Sequence, residues 1–167
     1  MQQQDNAYLL HIKPYKESSA LIRLFTAKHG MVSGILKGVY KKDKRAAAYR
    51  ASLQIGNCLE VAWLGKGGLK TFTQFDTDQR FPQVNTELFL CLSYVNELLL
   101  IFMQDELPFE DVYWRYQQLI NNIAAAQDMP RNLLEANLRA YEFDFIELMG
   151  FSLDFNEDVM LQEVVSA

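Results

Sequence analysis

The chain has 167 residues, half of them hydrophobic and 22% charged, a composition that excludes disorder and is sufficient for a self-supporting core. Its net charge of −5 conceals a division: residues 1–80 hold thirteen Lys and Arg against six Asp and Glu (+7), and residues 81–167 hold three against fifteen (−12). Two such halves call for different partners, the basic one a polyanion.

The polar opening Met1-Gln2-Gln3-Gln4-Asp5-Asn6 has neither the basic residues nor the apolar run of a signal peptide, so a cytoplasmic protein is expected. Residues 7–12 form a short apolar strand ended by Lys13-Pro14, since proline cannot donate to a central ladder. Residues 15–19 are turn material. Along 20–26 the side chains alternate, Ala20, Ile22 and Leu24 to one side and Leu21, Arg23 and Phe25 to the other. The second side is either a base-stacking platform or a half-exposed face covered by a loop. His29-Gly30 closes a hairpin loop into a third strand, 31–36.

Residues 36–45 are the most cationic stretch, five of the ten being Lys or Arg. Burial would strand unpaired ammonium groups in a low dielectric, so this is an exposed loop turned outward by Gly38, with Asp43 offsetting one charge. Residues 46–53 have high helix propensity. Residues 58–64 and 69–75 read as two further strands joined by Gly65-Lys66-Gly67-Gly68. Five strands with a helical insert after the third is the element order of a small Greek-key barrel, the OB-fold.

Near residue 81 the apolar period changes from two to about 3.6. Asn85 or Thr86 caps a helix reaching about residue 103, apolar at Leu88, Leu92, Val95, Leu98, Leu99 and Phe102. Interrupted by Asn96 and Glu97, this run is too short and too polar to span a membrane. A second helix covers 109–125 with Glu110 and Asp111 in its first turn. A third follows Pro130 and ends at Gly150, apolar at Leu134, Leu138, Tyr141, Phe145, Leu148 and Met149. The expected fold is α+β: a five-stranded OB-fold barrel over residues 1–80, basic and DNA-binding, followed by an acidic helical bundle over residues 81–167. Cys58, Cys91, His11 and His29 lack disulfide or metal-ligand spacing, so no metal site or cofactor is expected.

Several segments, in order, resemble the bacterial recombination mediator family RecO. They are Ala7-Tyr8-Leu9-Leu10-His11, Pro14-Tyr15-Lys16-Glu17-Ser18-Ser19, Leu24-Phe25-Thr26 with His29-Gly30, and Lys37-Gly38. Gly65-Lys66-Gly67, Leu69-Lys70-Thr71, Tyr94-Val95-Asn96-Glu97-Leu98-Leu99, Glu142-Phe143 and Glu147-Leu148-Met149-Gly150-Phe151 continue the match. The resemblance covers about residues 7–155. It implies an OB-fold followed by a helical domain, and a protein that binds single- and double-stranded DNA and anneals complementary strands. It further implies action with RecR in loading RecA onto DNA coated by single-stranded DNA-binding protein, whose acidic C-terminal tail is recognised. Such a protein works at the bacterial nucleoid and carries no catalytic chemistry. Members of the family usually continue well beyond the point matching Asp154, and some carry a four-cysteine zinc module that no residues here could supply. The C-terminal part of the family pattern is missing.

A barrel that binds single strands needs cations tracking the phosphates and aromatic faces for the bases. Lys13, Lys16, Arg23, Lys37, Lys41, Lys42, Lys44, Arg45, Arg50, Lys66 and Lys70 are the candidate phosphate contacts, with Tyr15, Tyr40 and Tyr49 for stacking. Tyr40 interrupts the basic loop and is either a stacking ring or a ring folded onto the barrel rim, whereas Trp63 alternates with Leu59 and Val61 and belongs to the core. Arg139 stands where the resemblance places a basic residue of the acidic-tail site. Glycine spacing gives no phosphate-cradling motif, and there is no Ser/His/Asp order worth defending, so the chain reads as a non-enzymatic mediator. The alternative is an adaptor whose basic barrel grips an acidic protein.

Overall fold

The computed structural model describes residues 2–65, 67–125 and 130–151. Strands β1 (Gln3–Tyr15), β2 (Ser19–Thr26), β3 (Gly30–Leu36), β4 (Cys58–Leu64) and β5 (Lys70–Gln79) close a barrel in the order β1-β2-β3-β5-β4. Every pairing is antiparallel except β3 with β5. Helix α1 (Lys44–Ser52) lies between β3 and β4, and α2 (Thr86–Phe102), α3 (Glu110–Ala125) and α4 (Arg131–Leu148) follow the barrel. The chain is an OB-fold joined to a helical unit.

One strand closes the barrel by serving two neighbours in succession. Gln3 to Tyr8 pair with β4 and Ala7 to Tyr15 pair with β2. This overturns the expectation that Lys13-Pro14 ends the strand, for Lys13 pairs with Leu21 and Pro14 with Ala20. Past Tyr8 the β4 side of β1 is an open edge, where a missing N–H costs no ladder bond. A bulge between Leu9 and His11 increases the local twist as β1 passes from one neighbour to the other.

The alternation expected in β2 decides which core each residue joins. Ala20, Ile22 and Leu24 point into the barrel with Leu9, Val32, Leu59, Val61, Trp63, Phe72 and Phe75. Phe25 points out and joins Tyr8, Met31 and the inner faces of α2, α3 and α4 in a second cluster. Phe25 is 0% exposed, its ring 5.5 Å from Tyr113 and 6.1 Å from Tyr116 of α3. The base-stacking platform is therefore excluded at this position, because a helix from the second half lies over it.

Side-chain caps start two of the helices. Asp43 Oδ1 accepts from the Ala46 amide at 2.7 Å at the start of α1, and Asn85 Oδ1 from the Leu88 amide at 2.9 Å at the start of α2. At the far end Gly150, with φ of +86°, follows α4 and bonds back to Glu147 O at 2.9 Å. Between helices and barrel, the Tyr116 hydroxyl donates to Asn96 Oδ1 at 2.6 Å while Asn96 Nδ2 donates to Leu9 O at 3.4 Å. No helix among the described residues is long and apolar enough to cross a membrane.

Candidate nucleic-acid interface

The basic stretch leaves β3 at Leu36 and turns at Gly38, but it is shorter than a loop over 36–45. Lys44 and Arg45 belong to the first turn of α1, because Asp43 serves as the helix cap rather than as a counter-charge. The Tyr40 amide donates to Ser18 O at 3.1 Å, fastening the loop to the β1–β2 turn that carries Lys16. Where loop, α1 and β5 meet there is a cleft of about 430 Å³ lined by Lys37, Gly38, Lys41, Asp43, Arg45, Tyr49, Phe72 and Thr73. Three cations thus converge on one concavity, with Lys42 and Lys44 exposed beside it. Tyr40 presents 39% of its surface.

Lys13 lies on the outer face of the sheet, since its neighbour Ile12 packs against the barrel interior. Cross-strand register sets it in a row with Leu21 of β2, Ile35 of β3 and Thr71 of β5. The adjoining row is His11, Arg23 and Ser33. Among the described residues, none of Lys13, Lys16, Lys37, Lys41, Lys42, Lys44, Arg45 and Arg50 has an acid within ion-pair distance.

Other candidates have different surroundings. Lys70 is 4% exposed, and its Nζ is held by Glu106 Oε1 at 2.5 Å and by Gly67 O. Burial and pairing correct its reading as a phosphate contact in this conformation. Arg23 Nη2 donates to Asp105 Oδ1 at 2.8 Å, so its charge is already met. Arg50 Nη1 donates to Val39 O at 2.6 Å and Lys41 O at 3.1 Å, bracing the basic loop from behind. Tyr49 is 8% exposed beneath Arg45, whose Nε donates to its hydroxyl at 2.8 Å, and is not a stacking face. The Lys16 ammonium lies 5.3 Å from the centre of the Tyr15 ring. Lys66 lies outside the described residues.

Arg139 is remote in sequence and borders an apolar groove of about 320 Å³ lined by Tyr94, Leu98, Phe102, Glu142, Phe145, Ile146, Met149 and Phe151. Glu142 holds Arg139 Nη1 at 2.5 Å and accepts from the Tyr94 hydroxyl at 2.7 Å. The hydrogen bond to this carboxylate raises the pKa of both groups. The groove was hidden in the sequence, where Phe102 reads as one more core residue of α2. The role of Asp5 was hidden as well: buried, it accepts from the Lys28 amide at 2.7 Å and contacts His29 Nδ1 at 2.9 Å, organising the β2–β3 turn.

Comparison with known proteins gives two matches that tile the chain. A family model described as Recombination protein O N terminal matches residues 1–81, and one described as Recombination protein O C terminal matches residues 85–165. The protein named DNA repair protein RecO of Psychromonas ingrahamii is 35% identical over 163 residues, covering 97% of this chain and 66% of that protein. The proteins of the same name from Nitrosococcus oceani and Polynucleobacter asymbioticus are 34% and 33% identical, over 88% and 87% of this chain and 56% and 58% of their own lengths. The chain therefore spans somewhat over half to about two thirds of these relatives.

Proposed function

The chain belongs to the RecO family, and on that premise we propose that it is a non-enzymatic mediator of DNA repair and recombination acting at the bacterial nucleoid. Residues 1–80 bind single- and double-stranded DNA and bring complementary strands together. Residues 81–167 face proteins: RecR, RecA, and the acidic tail of single-stranded DNA-binding protein, which the groove beside Arg139 receives. The result is RecA loading onto coated single strands.

One observation carries the DNA reading: Lys37, Lys41 and Arg45 meet in a single cleft with no acid at ion-pair distance among the described residues. Coulomb repulsion among three such cations is relieved by a polyanion. From the cleft a strand has two supports, Tyr40 and Lys16 at the neighbouring turn and the Lys13 row across β1, β2 and β3. OB-folds take oligonucleotides on the strand 2–3 face and the β1–β2 loop, which here adjoin the cleft and carry Arg23 and Lys16.

Contact with about six phosphates gives a slope of log affinity against log salt near −4, at roughly −0.7 per phosphate for single strands. Replacing Lys41, Lys42, Lys44 and Arg45 together by Ala should flatten that slope by up to about 3 and weaken oligonucleotide binding. The melting temperature should stay within a few degrees of the parent. Fluorescence anisotropy and thermal denaturation measure both. A flat slope in the parent protein, with binding of acidic peptides instead, would favour the adaptor reading.

A further inference from the structure

The connector between α2 and α3, residues 103–109, lies against the outer face of the barrel, with residues 104–108 still open to solvent. Asp105 forms an isolated parallel bridge with Met31, and the Glu106 amide donates to Met31 O at 3.0 Å. Both acids meet a barrel cation: Asp105 binds Arg23 at 2.8 Å and Glu106 binds Lys70 at 2.5 Å. The two pairs differ in kind. Lys70 is buried, its side chain 5% exposed, and losing its partner would leave a charge in a low dielectric. Arg23 and Asp105 have side chains 35% and 55% exposed, and such a pair contributes little to stability.

The exposed pair is also incomplete. Asp105 takes one Nη2 hydrogen bond, while the Arg23 Nε–H is buried and has no acceptor among the described residues. A guanidinium is best satisfied by two oxygens on one anion, the arrangement a phosphate offers. Arg23 stands on the outer face of β2, one row from Lys13, Leu21 and Ile35.

We propose that Asp105 is a built-in stand-in for a backbone phosphate, held over Arg23 by the Lys70–Glu106 anchor and displaced when a nucleic acid strand crosses the β1–β3 face. The idea rests on the DNA reading above and adds to it a competition that lowers affinity in the free protein. The anchor keeps the connector seated while the exposed pair exchanges, so no refolding is needed. Arg23 joins the footprint only after Asp105 has left it.

The test uses a fluorescein-labelled oligo(dT) strand and four forms of the protein: the parent, Asp105→Asn, Arg23→Gln, and both together. Asp105→Asn should tighten binding about three- to tenfold at low salt and steepen the salt slope by about 0.7, one phosphate's share. Arg23→Gln alone should weaken binding, because the strand loses that phosphate contact and Asp105 is left as an unneutralised acid on the same face, and added to Asp105→Asn it should cancel the gain of that variant and restore the parental slope. The melting temperature of Asp105→Asn should match the parent. A parent that binds with a steep slope while Asp105→Asn binds identically overturns the competition and leaves the DNA reading standing. A parent slope near zero overturns both. An Asp105→Asn protein that melts early and binds more weakly also overturns the proposal, since the connector would then be a structural brace.

Discussion

At the mouth of the helical groove, Arg139 is exposed on α4 and shares Glu142 with Tyr94. A peptide ending in acidic residues and an apolar side chain would set its carboxylates against Arg139 and its apolar end against Phe102 and Phe145. The contact is charge-assisted but solvent-screened, Arg139 being exposed, so Arg139→Ala should weaken such a peptide by a few-fold. Calorimetric titration of the tail peptide measures it, and unchanged affinity removes the residue from the groove. The same scale shows why some site residues were legible and others not. Lys41 and Lys42 declare their exposure locally, because crowded like charges cannot be packed. Arg23 and Lys70 look no different in sequence, yet the acids that pair with them lie 82 and 36 residues away.

Among the elements, the β2–β3 hairpin packs directly against the α2–α3 connector. Gly30 has φ of +66°, and a Cβ there would lie 2.0 Å from Leu107 O. Gly30→Ala combines a left-handed backbone with a backbone collision, so it should cost roughly 1–3 kcal/mol or more. Urea denaturation would show this as a lower midpoint with an unchanged slope. From sequence His29-Gly30 is a hairpin loop, which is correct, but the demand for glycine comes as much from the connector as from the turn. Element boundaries moved for two reasons, a neighbouring strand and a local cap. β1 runs on through Pro14 because β2 continues beside it, and α1 begins at Lys44 because Asp43 caps it.

Barrel and helices are joined across the whole molecule by an aromatic seam. Tyr8 lies 5.6 Å from Tyr113 and 5.2 Å from Tyr116, with Phe25 against both. Burial pushes the Tyr8 hydroxyl up to about 12 from 10.0, and raises Tyr113, Tyr116 and Tyr141 as well. In the unfolded chain these phenols ionise near pH 10, while in the fold they keep their protons. Above pH 10 the folded state therefore binds more protons than the unfolded state, and stability falls as pH rises. The contribution is fully present below pH 10 and is lost progressively as pH climbs through the folded values. Denaturation midpoints between pH 9 and pH 12, followed with phenolate absorbance, should decline together with late, cooperative ionisation of the buried tyrosines. A midpoint independent of pH over this range would mean the seam is open to water.

Periodicity, turn residues and charge density are local properties, and from them the sequence by itself determined the barrel strands, the helical insert, the three later helices and the cationic loop. Only the tertiary structure decided that Phe25 faces a helix instead of a base, that Arg50 braces the loop, and that Arg23 and Lys70 each have an acid against them. Pairing between groups far apart in the chain leaves no periodic trace, because it depends on how two folded surfaces meet.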